Sequence, residues 1–168
     1  MTLAALNAMD DLSAMRALAQ CCGSRRWTAA MNARRPFTDP EALFRAAEET
    51  WWSLEGADWL EAFAHHPRIG ERAGGWAGQE QAGTQGAPTT TMRELASLNR
   101  EYERKFGHVF LIFATGKSAD EMLAELRRRL ALDPRAEMKN AAAEQAKITR
   151  LRLEKLLDAP DPATARHS

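Results

Sequence analysis

The sequence predicts an all-α fold: a single compact domain of about seven or eight helices, interrupted by one glycine-rich active-site loop. Three observations carry this expectation. Helix-capping residues recur along most of the chain, the apolar residues behind them fall at three- and four-residue spacing, and only one short run favours a strand. That run, residues 109–114, has no obvious partner, so it reads as a buried extended segment rather than as part of a sheet.

In chain order, Asp10 caps a helix over roughly 11–21, closed by Gly23, and Ser24 caps a second to about residue 33. Asp39 followed by Pro40 is a cap with proline at the first helical position, where its missing N–H costs nothing. Behind it Leu43, Phe44, Ala47, Trp51 and Leu54 form an amphipathic stripe, and a short helix over about 57–64 carries Trp59, Leu60 and Phe63. Residues 67–90 hold Pro67, Gly70, Gly74, Gly75, Gly78, Gly83, Gly86 and Pro88, a density that predicts loops and short turns. Ile69, Trp76 and the pair Glu80-Gln81 mark this stretch as one that packs and works. Thr91 and Glu94 read as a capping box, with Leu95, Leu98, Tyr102 and Phe106 as the stripe behind it and Gly107 as its end. Ser118 and Glu121 make a second box opening a helix to about residue 130. Asp133-Pro134 opens a last helix to about residue 158. The domain is thus expected over 1–158, with a disordered tail over 159–168.

Composition narrows the function classes. Of the 168 residues 45% are hydrophobic and 27% charged, ordinary for a globular protein. Lys plus Arg and Asp plus Glu each number 23, and a net charge of zero argues against a nucleic-acid binder, which needs cations for phosphates. The absence of a long apolar run predicts no membrane span, and the N-terminal stretch has neither a basic region nor an apolar core, so no signal peptide is expected. A cytoplasmic protein is expected, with Cys21 and Cys22 reduced and packed at a helix end. Adjacent cysteines bridge only with strain, and two sulfurs do not complete a zinc site. Metal, dinucleotide, phosphate-loop and serine-hydrolase signatures all fail on spacing, and the partial phosphate-loop likeness of residues 114–118 is explained by the capping box.

Three places can carry chemistry. His66 stands where a helix stops before Pro67, and proline disfavours helical geometry in the residue preceding it. Its imidazole is either a proton carrier facing the loop or a structural cap. Glu80-Gln81 is either solvated or sets a carboxylate and an amide against a small polar ligand. Arg152 falls on the apolar side of the last helix while Arg150 faces water, so Arg152 forms either an internal salt bridge or a clamp for a substrate carboxylate.

These residues, taken together, resemble a known family. Ala64-His65-His66-Pro67-Arg68-Ile69-Gly70, Glu80-Gln81-Ala82-Gly83, Leu98-Asn99, and Tyr102 leading to Lys105-Phe106-Gly107 are similar to the 2-oxo-4-hydroxy-4-carboxy-5-ureidoimidazoline decarboxylases of urate breakdown. The likeness continues through Phe110-Leu111-Ile112-Phe113-Ala114, the helix at Ser118, residues 148–153 and the early Arg35-Pro36-Phe37, so it spans roughly residues 3–157. The resemblance implies an all-helical homodimer with no metal or organic cofactor, acting on a small-molecule substrate to yield (S)-allantoin and carbon dioxide. It implies catalytic roles for His66, Glu80 and Arg152, and substrate contacts from Pro67, Ala77, Gly78, Gln79, Glu80 and Gln81. Further contacts would come from the apolar segment Phe110, Leu111, Ile112, Phe113 and Ala114. Many members carry serine where this chain has Ala77. A related ureido-acid lyase and a helical pocket protein without turnover are the rival readings.

Overall fold

Capping chemistry sets most of the helix starts. The computed structural model describes residues 1–71 and 74–158, and the tail expected over 159–168 lies outside them. Among the described residues there are nine α-helices and no strand, in the order α1 (Leu3–Ala8), α2 (Asp11–Ala19), α3 (Arg25–Ala33), α4 (Pro40–Trp52), α5 (Gly56–Phe63), α6 (Gly75–Glu80), α7 (Thr89–Phe106), α8 (Ala119–Leu130) and α9 (Pro134–Asp158). The all-α expectation therefore holds, with two short helices beyond those anticipated. α1 starts at Thr2, whose hydroxyl accepts from Ala5 N, and α6 folds within the glycine-rich stretch, followed by a 3-10 turn over Ala82–Thr84.

Asp10, Ser24, Asp39 and Ser118 each accept a backbone N–H of the helix they open, and Ser118 with Glu121 forms the full reciprocal box. The box expected at Thr91 does not form. α7 begins earlier, after Pro88, with no side-chain cap. Tertiary partners on α8 claim the two side chains instead: Thr91 donates to Asp120 (3.2 Å), and Glu94 pairs with Arg127. Lys105, near the end of α7, donates to the carbonyls of Leu130 (2.7 Å) and Leu132 (2.9 Å), which closes α8.

By backbone proximity the chain divides into two compact units, one of Met1–Glu61 with the chain from Ala146 on, the other Ala62–Gln145. The boundary falls inside α5 and α9. In the first unit α2 packs on α3 and α3 on α4, around a core that includes Leu18, Trp27, Met31, Leu43 and Trp51. The indole N–H of Trp27 is satisfied by the Ala47 carbonyl (3.2 Å). Arg35 closes α1: its guanidinium donates to the carbonyls of Leu6 (2.6 Å), Met9 (2.8 Å) and Asn7 (3.2 Å). Cys21 and Cys22 are free thiols at the end of α2, both buried, as expected from the sequence. Burial pushes both thiols up to about 12.

In the second unit α7 packs on α8 over a core of Leu95, Tyr102, Phe110, Ile112, Met122 and Leu126, among others. The apolar run is, as expected, extended and without strand pairing, and Phe110, Leu111, Ile112 and Ala114 are buried. A buried extended backbone needs hydrogen-bond partners that a sheet would ordinarily supply. Arg129 of α8, 1% exposed, supplies one by donating from Nη1 to the Leu111 carbonyl (2.6 Å). Its Nε donates to Glu137 of α9 (2.7 Å), which also accepts from the Tyr102 hydroxyl (2.6 Å). The guanidinium lies 4.7 Å from the centre of the Phe110 ring.

Three outcomes follow. Arg129→Met leaves a buried Glu137 without its cation, so unfolding free energy should fall by about 3–5 kcal/mol. A urea midpoint lower at unchanged slope reads this, and a loss under about 1 kcal/mol contradicts it. The thiols should resist aromatic disulfide reagents at pH 8 until the protein unfolds. Stability should also decline as pH rises from about 9 toward 12, because there the unfolded chain releases thiol protons that the native state retains.

Candidate active site

The candidate site grows from the end of α5. Beyond Phe63 the chain makes a tight turn, His65 N donating to the Ala62 carbonyl (3.2 Å) and His66 N to the Phe63 carbonyl (3.1 Å), and Pro67 keeps the helix from resuming. The adjacent histidines diverge: His65 is exposed and His66 half-buried. Nε2 of His66 lies 2.6 Å from Oε1 of Gln145, a residue of α9 with no solvent exposure.

Past Pro67, which is half-buried, the chain is fastened at each step. Arg68 pairs in two-pronged fashion with Glu103 of α7, Nε to Oε1 at 2.6 Å and Nη2 to Oε2 at 3.1 Å. The buried Ile69 offers its carbonyl to Asn99 Nδ2 (3.1 Å). Gly70 has φ +91, a left-handed conformation that favours glycine, and its N–H donates to Oε1 of Gln81 (3.1 Å). The Pro67–Gly70 stretch and the Glu80-Gln81 pair are thereby joined.

Glu80 ends α6 and Gln81 follows it, both buried. Ala77 and Gly78 are half-buried on α6, and Gln79 is exposed. A cleft of about 370 Å³ is lined by Gly70, Gly78, Gln81, Thr84, Gln85 and Met92, among others. The turn after Gln81 sits hard against the approach to α8: a methyl group on Gly83 would overlap the Lys117 carbonyl.

The extended segment is tied to the same part of α9 as His66. Glu144 accepts from Phe113 N (3.4 Å) and its neighbour Gln145 takes the His66 ring. Phe113 is half-buried, whereas Phe110, Leu111, Ile112 and Ala114 are buried. At the head of the segment His108 packs against Phe63, Tyr102 and Phe106, and burial holds its pKa below the usual histidine value. His108 Nδ1 donates to the Val109 carbonyl (3.0 Å), a structural use of the ring. Arg152 is half-buried in the first unit, where its charge acts on Cys21 and Cys22.

Sequence reasoning missed Gln145, Glu144 and the Arg129–Glu137 pair, and it marked Asn99 only as part of a motif, without its partner at the Ile69 carbonyl. For Gln145 the signal was present. It falls four residues after Ala141 and three before Ile148, on the buried side of α9, where a polar residue needs a specific partner. The same reasoning had singled out Arg152, which is less buried than Gln145.

The sequence profile of the OHCU decarboxylase family matches residues 7–154. The chain is 35% identical over 145 residues to the uric acid degradation bifunctional protein TTL of Arabidopsis thaliana, covering 81% of this chain and 45% of that protein. It is 37% identical over 81 residues to the 2-oxo-4-hydroxy-4-carboxy-5-ureidoimidazoline decarboxylase of Mus musculus, covering 48% of this chain and 46% of that one. The chain thus spans less than half the length of these two curated relatives. A crystal structure of OHCU decarboxylase in the presence of (S)-allantoin matches with a TM-score of 0.79 at 34% identity, covering 90% of this chain and 100% of that one.

Gly83→Ala tests how tightly the Glu80-Gln81 turn is seated. The added methyl meets backbone that cannot rotate away, so stability should drop by about 1–3 kcal/mol. Amide exchange should accelerate selectively across Gly75–Glu80. Wild-type protection there would show that the close approach to Lys117 does not hold the turn.

Proposed function

The chain belongs to the OHCU decarboxylase family, and we propose that it converts 2-oxo-4-hydroxy-4-carboxy-5-ureidoimidazoline to (S)-allantoin and carbon dioxide. The observation that carries this reading is His66: a half-buried imidazole beside Pro67, its ring held by a buried amide, in the same unit as the buried Glu80. An oriented imidazole serves as acid and base in turn near neutral pH.

The substrate carries its carboxylate on a carbon adjacent to a carbon–nitrogen double bond, and this bond accepts the electrons that carbon dioxide leaves behind. A cofactor to hold them is therefore unnecessary. In the proposed sequence His66 takes the proton of the substrate hydroxyl, and the bond to the carboxylate breaks with its pair moving toward the C=N bond. Carbon dioxide leaves, and His66 returns the proton to carbon on one face. The ring nitrogen of the substrate takes one proton from water, which balances the charge. Glu80 orients the imidazole or holds the ureido N–H groups, and the apolar segment from Phe110 to Ala114 walls the site. The chain is read as a cytoplasmic homodimer. Ala77, half-buried on α6 where many members carry serine, is the one feature favouring a pocket without turnover.

Circular dichroism recorded as urate is oxidised, with a hydroxyisourate hydrolase present, decides between them. Added protein should accelerate growth of an (S)-allantoin signal, and His66→Ala should slow that catalysed rate by about 100-fold or more. Racemic product at the spontaneous rate would overturn the enzyme reading. Near-normal turnover by His66→Ala would overturn the histidine's role.

A further inference from the structure

Gln145 has no solvent exposure, and its Oε1 lies 2.6 Å from Nε2 of His66. An amide oxygen only accepts, so Nε2 must carry the proton in this contact. In a neutral imidazole the lone pair then resides on Nδ1, since the hydrogen bond made by one ring nitrogen decides the protonation of the other. We infer that Gln145 is a positioning residue: it holds His66 as the Nε2–H tautomer, so that Nδ1 is the nitrogen that exchanges the proton with the substrate.

The tautomer is inferred from the bond to Gln145, while its use in turnover rests on the decarboxylase reading. Three features suit Gln145 to the task. It is uncharged, so its own bond brings no fixed anion to the ring, and with both ring nitrogens assigned Glu80 takes the other of its two roles, holding the ureido N–H groups. It lies within a long helix that holds its backbone in place. Its neighbour Glu144 accepts the Phe113 N–H at 3.4 Å, so two successive residues of α9 set both the ring and the apolar segment. In the step itself, Nδ1 accepts the substrate hydroxyl proton as the carboxylate departs and then delivers it to carbon, with Nε2–H bonded to Gln145 throughout.

The test is a long-range ¹H–¹⁵N spectrum of protein labelled in histidine, above the pH at which the ring titrates, with His66 assigned by its loss in His66→Asn. Wild-type His66 should show a protonated Nε2 and an unprotonated Nδ1. Gln145→Met, close in length but without an acceptor oxygen, should shift the signals toward a mixture of tautomers. It should lower kcat at least about tenfold and leave KM within about threefold. An Nδ1–H tautomer in the wild type overturns the proposal. So does a Gln145→Met protein with the wild-type tautomer, or one with a changed tautomer and unchanged kcat. Reading the wild-type tautomer requires no turnover and no folded Gln145 variant. A protein with the expected tautomer and no decarboxylation would therefore count against the decarboxylase reading alone.

Discussion

The buried pair of Arg129 and Glu137 is the constraint on which the second unit is built. An extended segment inside an all-helical core has no neighbouring strand, yet its peptide groups still need partners. Arg129 answers that need by lending a side-chain N–H to the Leu111 carbonyl. A guanidinium at 1% exposure in turn requires an anion, which Glu137 provides from α9, and Glu137 is further satisfied by the Tyr102 hydroxyl from α7. Three helices and the segment thus meet at one charge-assisted cluster. Replacing any member with an apolar residue would strand a buried polar group, which gives the cluster its leverage over the position of residues 109–114.

Two further anchors act on the candidate site from neighbouring positions of α9. Glu144 meets the segment at Phe113, and Gln145 meets the ring of His66. In the same unit, Gln81 receives the Gly70 N–H, and Gly83 lets the following turn approach the Lys117 carbonyl. None of these contacts need involve a reacting atom. They register short stretches that lie between the longer helices, which is the requirement for chemistry carried on loops.

Much of the architecture was legible because it depends on local interactions. Asp10, Ser24, Asp39 and Ser118 cap helices in the structure by the bonds their types predict, and the isolated apolar run is extended and buried. Thr91 was misread because a capping box is a local inference, and α8 offered both of its side chains other partners. Short helices escaped for a related reason. In α6, glycine-rich sequence argues against helix, and only the surrounding contacts make six helical residues stable.

By itself the sequence determined the helical class, the starts of the principal helices, the His66-Pro67 and Glu80-Gln81 motifs, and the family likeness, because capping, periodicity and motif spacing are properties of neighbours in the chain. Tertiary structure alone decided which polar residues of different elements meet. It paired His66 with Gln145, Gly70 with Gln81, and Arg129 with both Leu111 and Glu137. It also distinguished exposed His65 from half-buried His66. Periodicity marks a residue as facing inward, but the identity of its partner depends on how folded elements pack. That is why Gln145 could be recognised as a buried amide only in principle, and as the holder of the imidazole only once the helices were in place.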